Sequence, residues 1–186
     1  MDLLVGEPWP SARALQEEWL ANLARRVEVR QADLLREQML LMMTEVPESF
    51  YGVLTLERWR WLKRWRAGRC YAALHHYVWL QALQQAQPIY APGISRTLRY
   101  ALLQKGPAGQ RLVKRLERQL ALFTVLTDNW QESGFLRVAH HVVQVVFGDL
   151  HSRPRRLVTA VQLADYLDQY YEEQLNRLQN MELMAQ

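Results

Sequence analysis

The chain carries a single cysteine, Cys70, among 186 residues. Without a second thiol no intramolecular disulfide forms and no cysteine-based zinc site assembles, which points to a reducing compartment and a cytoplasmic address. Glycine (8) and proline (7) are scarce, too few for a linker-rich chain or a sandwich of short strands. The densest apolar runs, Met39 to Met43 and Val142 to Gly148, fall far short of the roughly 20 residues that a bilayer-crossing helix needs. The opening Met-Asp-Leu-Leu-Val-Gly-Glu-Pro has no basic segment ahead of an apolar one, so no secretory signal is expected. A glycine-rich phosphate loop, a nucleophile elbow, a kinase-type motif and paired carboxylates in an apolar setting are all missing as well. The expectation is a protein that is not an enzyme, with no catalytic residue, no metal and no cofactor.

What is present is a globular balance, 49% hydrophobic and 23% charged residues, enough for one domain over 1–186 with residues 1–10 as an extended N-terminal segment. The apolar spacing is helical almost throughout. Between Ser11 and Val46, Leu15, Trp19, Leu23, Val27, Leu34 and Leu41 recur at four or seven residues, one face of a long helix or of two collinear ones. Pro47 ends it, because proline cannot donate to the helix ladder. From Thr55 to Ala86 a second stripe, Trp61, Trp65, Ala72, Trp79 and Leu83, reads as a packing face on which the tryptophans are core. Gly68 beside it marks a bend or a tight crossing. A loop over 87–93 leads to a short helix capped by Ser95 and ending near Gly106.

Pro107 to Leu126 is the next helix, with Leu112, Val113, Leu116, Leu120 and Phe123 on one side. Ser133 caps another, which Gly148 stops. Its valines 142, 143, 145 and 146 would suit a strand, but a lone strand leaves its backbone groups unsatisfied, so helix is preferred. Ser152 and Pro154 open the last helix, whose Leu157, Ala160, Ala164, Leu167, Tyr171 and Leu178 repeat in heptad fashion. The stretch from Leu157 to Leu167 resembles the first half of a helix-turn-helix unit, yet no turn follows Leu167, so one continuous helix is expected. The predicted fold class is all-α, a compact bundle of about six helices with no sheet.

Charge is segregated along this framework. Residues 58–118 hold 13 of the 23 Lys and Arg and a single acid, Glu117, while both flanking regions are net acidic. Arg111, Lys114, Arg115 and Arg118 fall at i, i+3, i+4 and i+7, one face opposite the apolar one. Such a stripe either stays solvated, or pairs with the acidic last helix through Asp165, Asp168, Glu172 and Glu173, or is neutralised by a phosphate backbone with release of counterions. The segment Arg58-Trp-Arg-Trp-Leu-Lys-Arg-Trp-Arg alternates cations and indoles, putting Arg60, Lys63 and Arg64 away from the tryptophan stripe. Trp59 falls on another face, as a second packing surface or as a stacking or partner-binding residue. Arg153, Arg155 and Arg156 sit at a helix start, where cations oppose the dipole.

The five histidines include two adjacent pairs, His75 with His76 and His140 with His141. Neighbours on a helix point about 100° apart, so neither pair chelates one ion from one face; a four-histidine site between helices is the alternative to packed or exposed imidazoles. Cys70 reads as a small core residue.

Three functions are expected in order, the third being a peripheral membrane role. The first is nucleic-acid binding through Arg111, Lys114, Arg115 and Arg118, helped by Arg60, Lys63, Arg64, Arg153, Arg155 and Arg156. The second is a helical adaptor or assembly subunit of a larger protein complex that holds partners through Trp59, Tyr170 and Tyr171, a homo-oligomer being one form of it.

Overall fold

A run of ten residues, Cys70 to Trp79, is buried without a break, and a helix buried on every side must be the centre of whatever packs on it. That helix organises the molecule. In the computed structural model the described residues are 45–127, 134–148 and 154–183, with Arg25, Arg26, Val29, Arg30, Asp33 and Glu37 nearer the N-terminus, all six helical. The rest of the expected helix over 11–46, its apolar stripe and the extended segment 1–10 lie outside the described residues. So do the caps Ser133 and Ser152, together with His151 and Arg153.

Six helices follow in order: α1 Glu48–Val53, α2 Trp61–Ala86, α3 Ala91–Leu103, α4 Gly106–Thr127, α5 Leu136–Phe147 and α6 Pro154–Leu183. The fold is all-α, with no strand among the described residues. One apolar cluster draws on all six helices. No described helix is long and apolar enough to cross a membrane.

Ring contacts give the directions around α2. Its His75 meets Tyr166 and Tyr170 of α6, with centroids 5.7 and 4.3 Å apart, and Gln87 Nε2 donates to the Leu178 carbonyl at 3.2 Å, so α6 runs parallel to α2. Tyr77 lies 6.4 Å from Phe135 and the Lys63 ammonium 5.1 Å from the Phe147 ring, so α5 runs antiparallel. Tyr77 also packs edge-on to Phe123 of α4 and hydrogen-bonds to Thr127. The starts of α2 and α6 and the end of α5 therefore meet at one end of the bundle.

Several boundaries differ from expectation. The second helix begins at Trp61 rather than Thr55, and a separate short helix, α1, precedes it. Leu56 N–H donates to the Tyr51 carbonyl and Thr55 N–H to the Gly52 carbonyl, the paired bonds that close a helix through a left-handed residue. Thr55 takes that conformation, φ 52°, where glycine is usual, so no glycine stop signals the helix in the sequence. The third helix starts at Ala91, ahead of Ser95, because Pro92 and Gly93 fall in its first turn, where proline loses no bond.

Gly68 does not break α2, which continues through it, and an added Cβ there would meet Tyr51 and Val46 at ordinary contact distance, so no tight crossing requires the glycine. The close crossing is at Gly109, where a Cβ would lie 1.9 Å from the Leu102 carbonyl oxygen. The valine-rich segment is helical, because Val138, Val142, Val143 and Val146 are wholly enclosed and tertiary burial outweighs strand preference. Gly148 ends it at φ 83°. In α6 the heptad positions from Ala160 to Leu178 are buried, but Leu157 is exposed, as are Val158 and Val161.

Candidate functional site

The end of the bundle where α2 and α6 begin is chemically unlike the rest. Trp59, Trp61 and Trp65 are exposed to 70, 72 and 54%, and Leu62 beside them is exposed too. The expectation that Trp61 and Trp65 are core is therefore overturned: their spacing does place them on one face, but no described residue covers that face at this end. Further along the same stripe Ala72, Trp79 and Leu83 are buried. Cations interleave with the indoles. The Arg60 guanidinium lies 4.8 Å over the Trp59 ring and that of Arg69 lies 4.8 Å over Trp65, both within cation–π range.

Beside this patch a pocket of about 580 Å³ opens between the start of α2, the end of α5 and the start of α6. Arg60, Lys63, Arg155 and Arg156 line it, with Glu57, Thr55, Thr159 and Phe147. Two basic clusters that lie far apart in the chain thus share one cavity. Glu57 accepts a hydrogen bond from the Trp59 indole, and the Thr159 hydroxyl donates to the Arg155 carbonyl at 3.0 Å. The Arg60 Nε is enclosed with no hydrogen-bond partner.

Arg64, expected among the nucleic-acid contacts, is turned away and already neutralised. It grips Glu48 with both nitrogens, at 2.7 and 3.1 Å, and covers the Tyr51 ring at 3.7 Å. That grip holds the Glu48 carboxyl below its usual range. Arg64 is thereby a strut tying α1 to α2, and its cation is not offered outward.

The α4 stripe stands clear of the pocket. Arg111, Lys114 and Arg118 are exposed and Arg115 is half-buried. Among the described residues no carboxylate ion-pairs with any of the four; Glu117 binds Arg99 of α3 at 2.8 Å instead. The expected alternative, neutralisation by α6, is not what the structure has. Asp168 of α6 faces Gly134 and accepts from the Phe135 backbone at the start of α5, and burial together with Asp165 and Glu172 holds its carboxyl above the usual range.

Two residues proposed to hold partners are unsuited to it. Tyr171 is only 9% exposed, packed on Phe135, and Tyr170 is half-buried against His75. Their heptad positions face the core because α6 lies along α2 over its whole buried stretch. Burial also pushes up the phenols of Tyr166 and Tyr170.

His75 and His76 are enclosed, and burial pushes both down to about 4, so each is neutral near pH 7. His75 sits among Phe50, Tyr71, Tyr166 and Tyr170, its Nε2 3.2 Å from the Tyr166 hydroxyl. Among the described residues no group of three or more His, Cys, Asp or Glu side chains is arranged to hold a metal, so the four-histidine site does not form. Cys70 is buried, and burial pushes its thiol up to about 11 despite Arg69 and Arg115 nearby; it is a core residue rather than a thiolate nucleophile.

The comparisons with known proteins add no relative. No family model, curated protein or solved structure matches the chain.

Sequence reasoning missed the pocket and the exposure of Trp61 and Trp65. A signal for the tryptophans was present: Trp61 and Trp65 occupy the first turns of a helix whose opening residues include Lys63, Arg64 and Arg66, and a core face does not normally begin inside a run of cations.

Proposed function

We propose that the protein is a non-enzymatic helical binding protein that engages single-stranded nucleic acid at the end of the bundle where α2 begins. The observation that carries this reading is the set of three exposed tryptophans, Trp59, Trp61 and Trp65, interleaved with Arg58, Arg60, Arg66 and Arg69. Indole faces stack on bases without regard to sequence, and cations between them track the phosphates. An exposed tryptophan is costly in water, so three within seven residues ask for an occupant. The α4 cations, which no described carboxylate pairs, extend the positive surface and steer the strand on approach.

A membrane surface would also accept indoles and cations, but Arg111, Lys114 and Arg118 stand exposed on α4, whose one aromatic residue, Phe123, is buried, which suits a polyanion rather than a lipid interface. The adaptor reading loses its tyrosines to the core and retains Trp59 alone. A reducing, cytoplasmic setting fits the single buried thiol.

Intrinsic tryptophan fluorescence, titrated with a single-stranded oligonucleotide at several salt concentrations, tests this. The expected result is quenching, an affinity that falls steeply with salt, and a loss of about tenfold or more for Trp61→Ala or Trp65→Ala, since one base stack is worth about 1–3 kcal/mol. Absence of binding at low salt ends the proposal. Tight binding to anionic vesicles without binding to oligonucleotide moves the surface to a membrane instead.

A further inference from the structure

The exposed tryptophans and the basic stripe of α4 lie on different helices, and the way those helices pack brings the two together. Tyr77 of α2 meets Phe123 of α4 with ring centroids 5.5 Å apart and hydrogen-bonds to Thr127. The buried Cys70 thiol, earlier on α2, lies within electrostatic reach of Arg69 and of Arg115 on α4. Moving back from Tyr77 to Cys70 on α2 thus moves back from Phe123 to Arg115 on α4, so the two helices run in the same sense. One turn before Cys70, and on the same side of α2, stands Arg66; one turn before Arg115 stands Arg111. The α4 cations therefore begin level with the tryptophan turns of α2.

The join between them carries one sign of charge. Arg66 and Arg69 are exposed, and the Arg69 guanidinium lies 4.8 Å over the Trp65 ring, so it bridges the indole face and the side of α2 that meets α4. Beyond it Arg111, Lys114 and Arg118 are exposed, with no ion pair to a described carboxylate. The sequence of α2 contains no acid, and the one acid of α4, Glu117, is held by Arg99 of α3. Cations in a row repel one another, and a polyanion laid along them relieves the repulsion. At 1.5 Å per residue, with helix axes 8–10 Å apart, the path from Trp61 to Arg118 is about 20 Å long.

We infer that the indoles and the α4 cations form one track, on which a single strand stacks its bases at Trp61 and Trp65, crosses Arg69 and Arg66, and lays its following phosphates along Arg111, Lys114 and Arg118. The inference rests on the proposed function and adds a length requirement to it, because α4 holds the bound strand as well as steering it. Stacked at about 3.4 Å per nucleotide, a strand needs about six nucleotides to cover the path. A shorter one engages the tryptophans alone.

The experiment compares oligothymidylates of about four and about twelve nucleotides, binding to the full chain and to the triple variant Arg111→Gln, Lys114→Gln, Arg118→Gln. Affinity is read from tryptophan quenching and rates from stopped flow, at about 0.1 M salt, where charges more than about 10 Å apart are screened. The native chain is expected to bind the longer strand more tightly and with the steeper salt dependence. In the triple variant the longer strand loses about tenfold or more in affinity, and its salt slope becomes shallower by about 2, since each phosphate contact contributes about 0.7. Its dissociation quickens, while the shorter strand changes by no more than about twofold. Trp65→Ala weakens both lengths. Lys114→Gln alone, which removes one exposed side chain, produces about a third of the change in slope and guards against a triple variant that fails to fold.

Equal losses for both lengths, confined to the association rate, reduce α4 to steering; that overturns the track and leaves the proposed function standing. A native affinity that does not rise between the two lengths has the same consequence. Absence of binding to either strand at low salt removes the proposed function, and the track with it.

Discussion

The two halves of α2 show opposite relations between apolar residues and water. From Cys70 to Trp79 every side chain is buried, including two neutral histidines, while over Trp61 to Arg66 three large apolar side chains, Trp61, Leu62 and Trp65, stand in solvent. One helix with one continuous stripe thus serves as core in one half and as surface in the other. The difference lies in the neighbours. α6, α5 and α4 surround the later turns, and no described residue covers the tryptophan face of the first two. Hydrophobic burial stabilises the molecule at one end, and at the other the same residue type stands in water at a cost.

The sharpest way to break the buried half is acid. His75 and His76 titrate at about 4 in the folded chain against 6.5 when exposed, so the unfolded chain binds more protons over that interval and stability falls as pH drops below about 6.5. Between pH 7 and pH 5 the expected loss is about 2 kcal/mol for each histidine, read from urea midpoints, with little further loss from these groups once pH passes below about 4. A stability independent of pH over 5–7, or His75 or His76 titrating near 6 by NMR, would contradict the burial described here.

Next in size is Leu74→Ala, in the middle of the enclosed stretch. Loss of its side chain leaves a cavity and costs about 3 kcal/mol, seen as a lower urea midpoint, while oligonucleotide affinity of the folded fraction stays unchanged. A parallel drop in affinity would mean that the two halves are coupled and that the division drawn here is wrong.

Thr55→Gly acts in the link between α1 and α2, just before the exposed half. Relief of the left-handed strain at φ 52° is expected to raise stability by about 0.5–1 kcal/mol, measured in the same titration. A loss of stability would show that the threonine side chain contributes more than its backbone costs.

The smallest effect on stability belongs to the exposed half. Trp61→Ala and Trp65→Ala each change it by no more than about 0.5 kcal/mol, although both weaken strand binding. A thermal shift of many degrees in either variant would place the indole in a packed interface and remove it from the binding surface.

Much of the fold was legible beforehand. The 3.6-residue spacing of Leu112, Leu116 and Phe123 and of Ala160, Ala164 and Leu167 is enough to identify α4 and α6, because only a helix puts such residues on one side. Gly148 marks the end of α5 because its positive φ is open to glycine at no cost. α1 was not legible: it is six residues long and ends on a threonine where a glycine is usual. The site was legible in part. The cations of 58–66 and of 153–156 were recognisable as clusters, but their meeting around one pocket depends on α6 lying parallel to α2, which no local pattern encodes. Arg64 and Arg60 look equivalent in sequence, and only the position of Glu48 on α1 separates a strut from a pocket cation.

By itself the sequence determined that the chain is helical, which residues share a face on each helix, and that basic charge concentrates between residues 58 and 118. Periodicity and composition are local properties, carried by side chains a few residues apart. The tertiary structure alone decided which faces water sees. It took Tyr171 into the core, left Trp61 and Trp65 outside, and closed Arg60 and Arg155 around one cavity, because burial depends on what arrives from elsewhere in the chain.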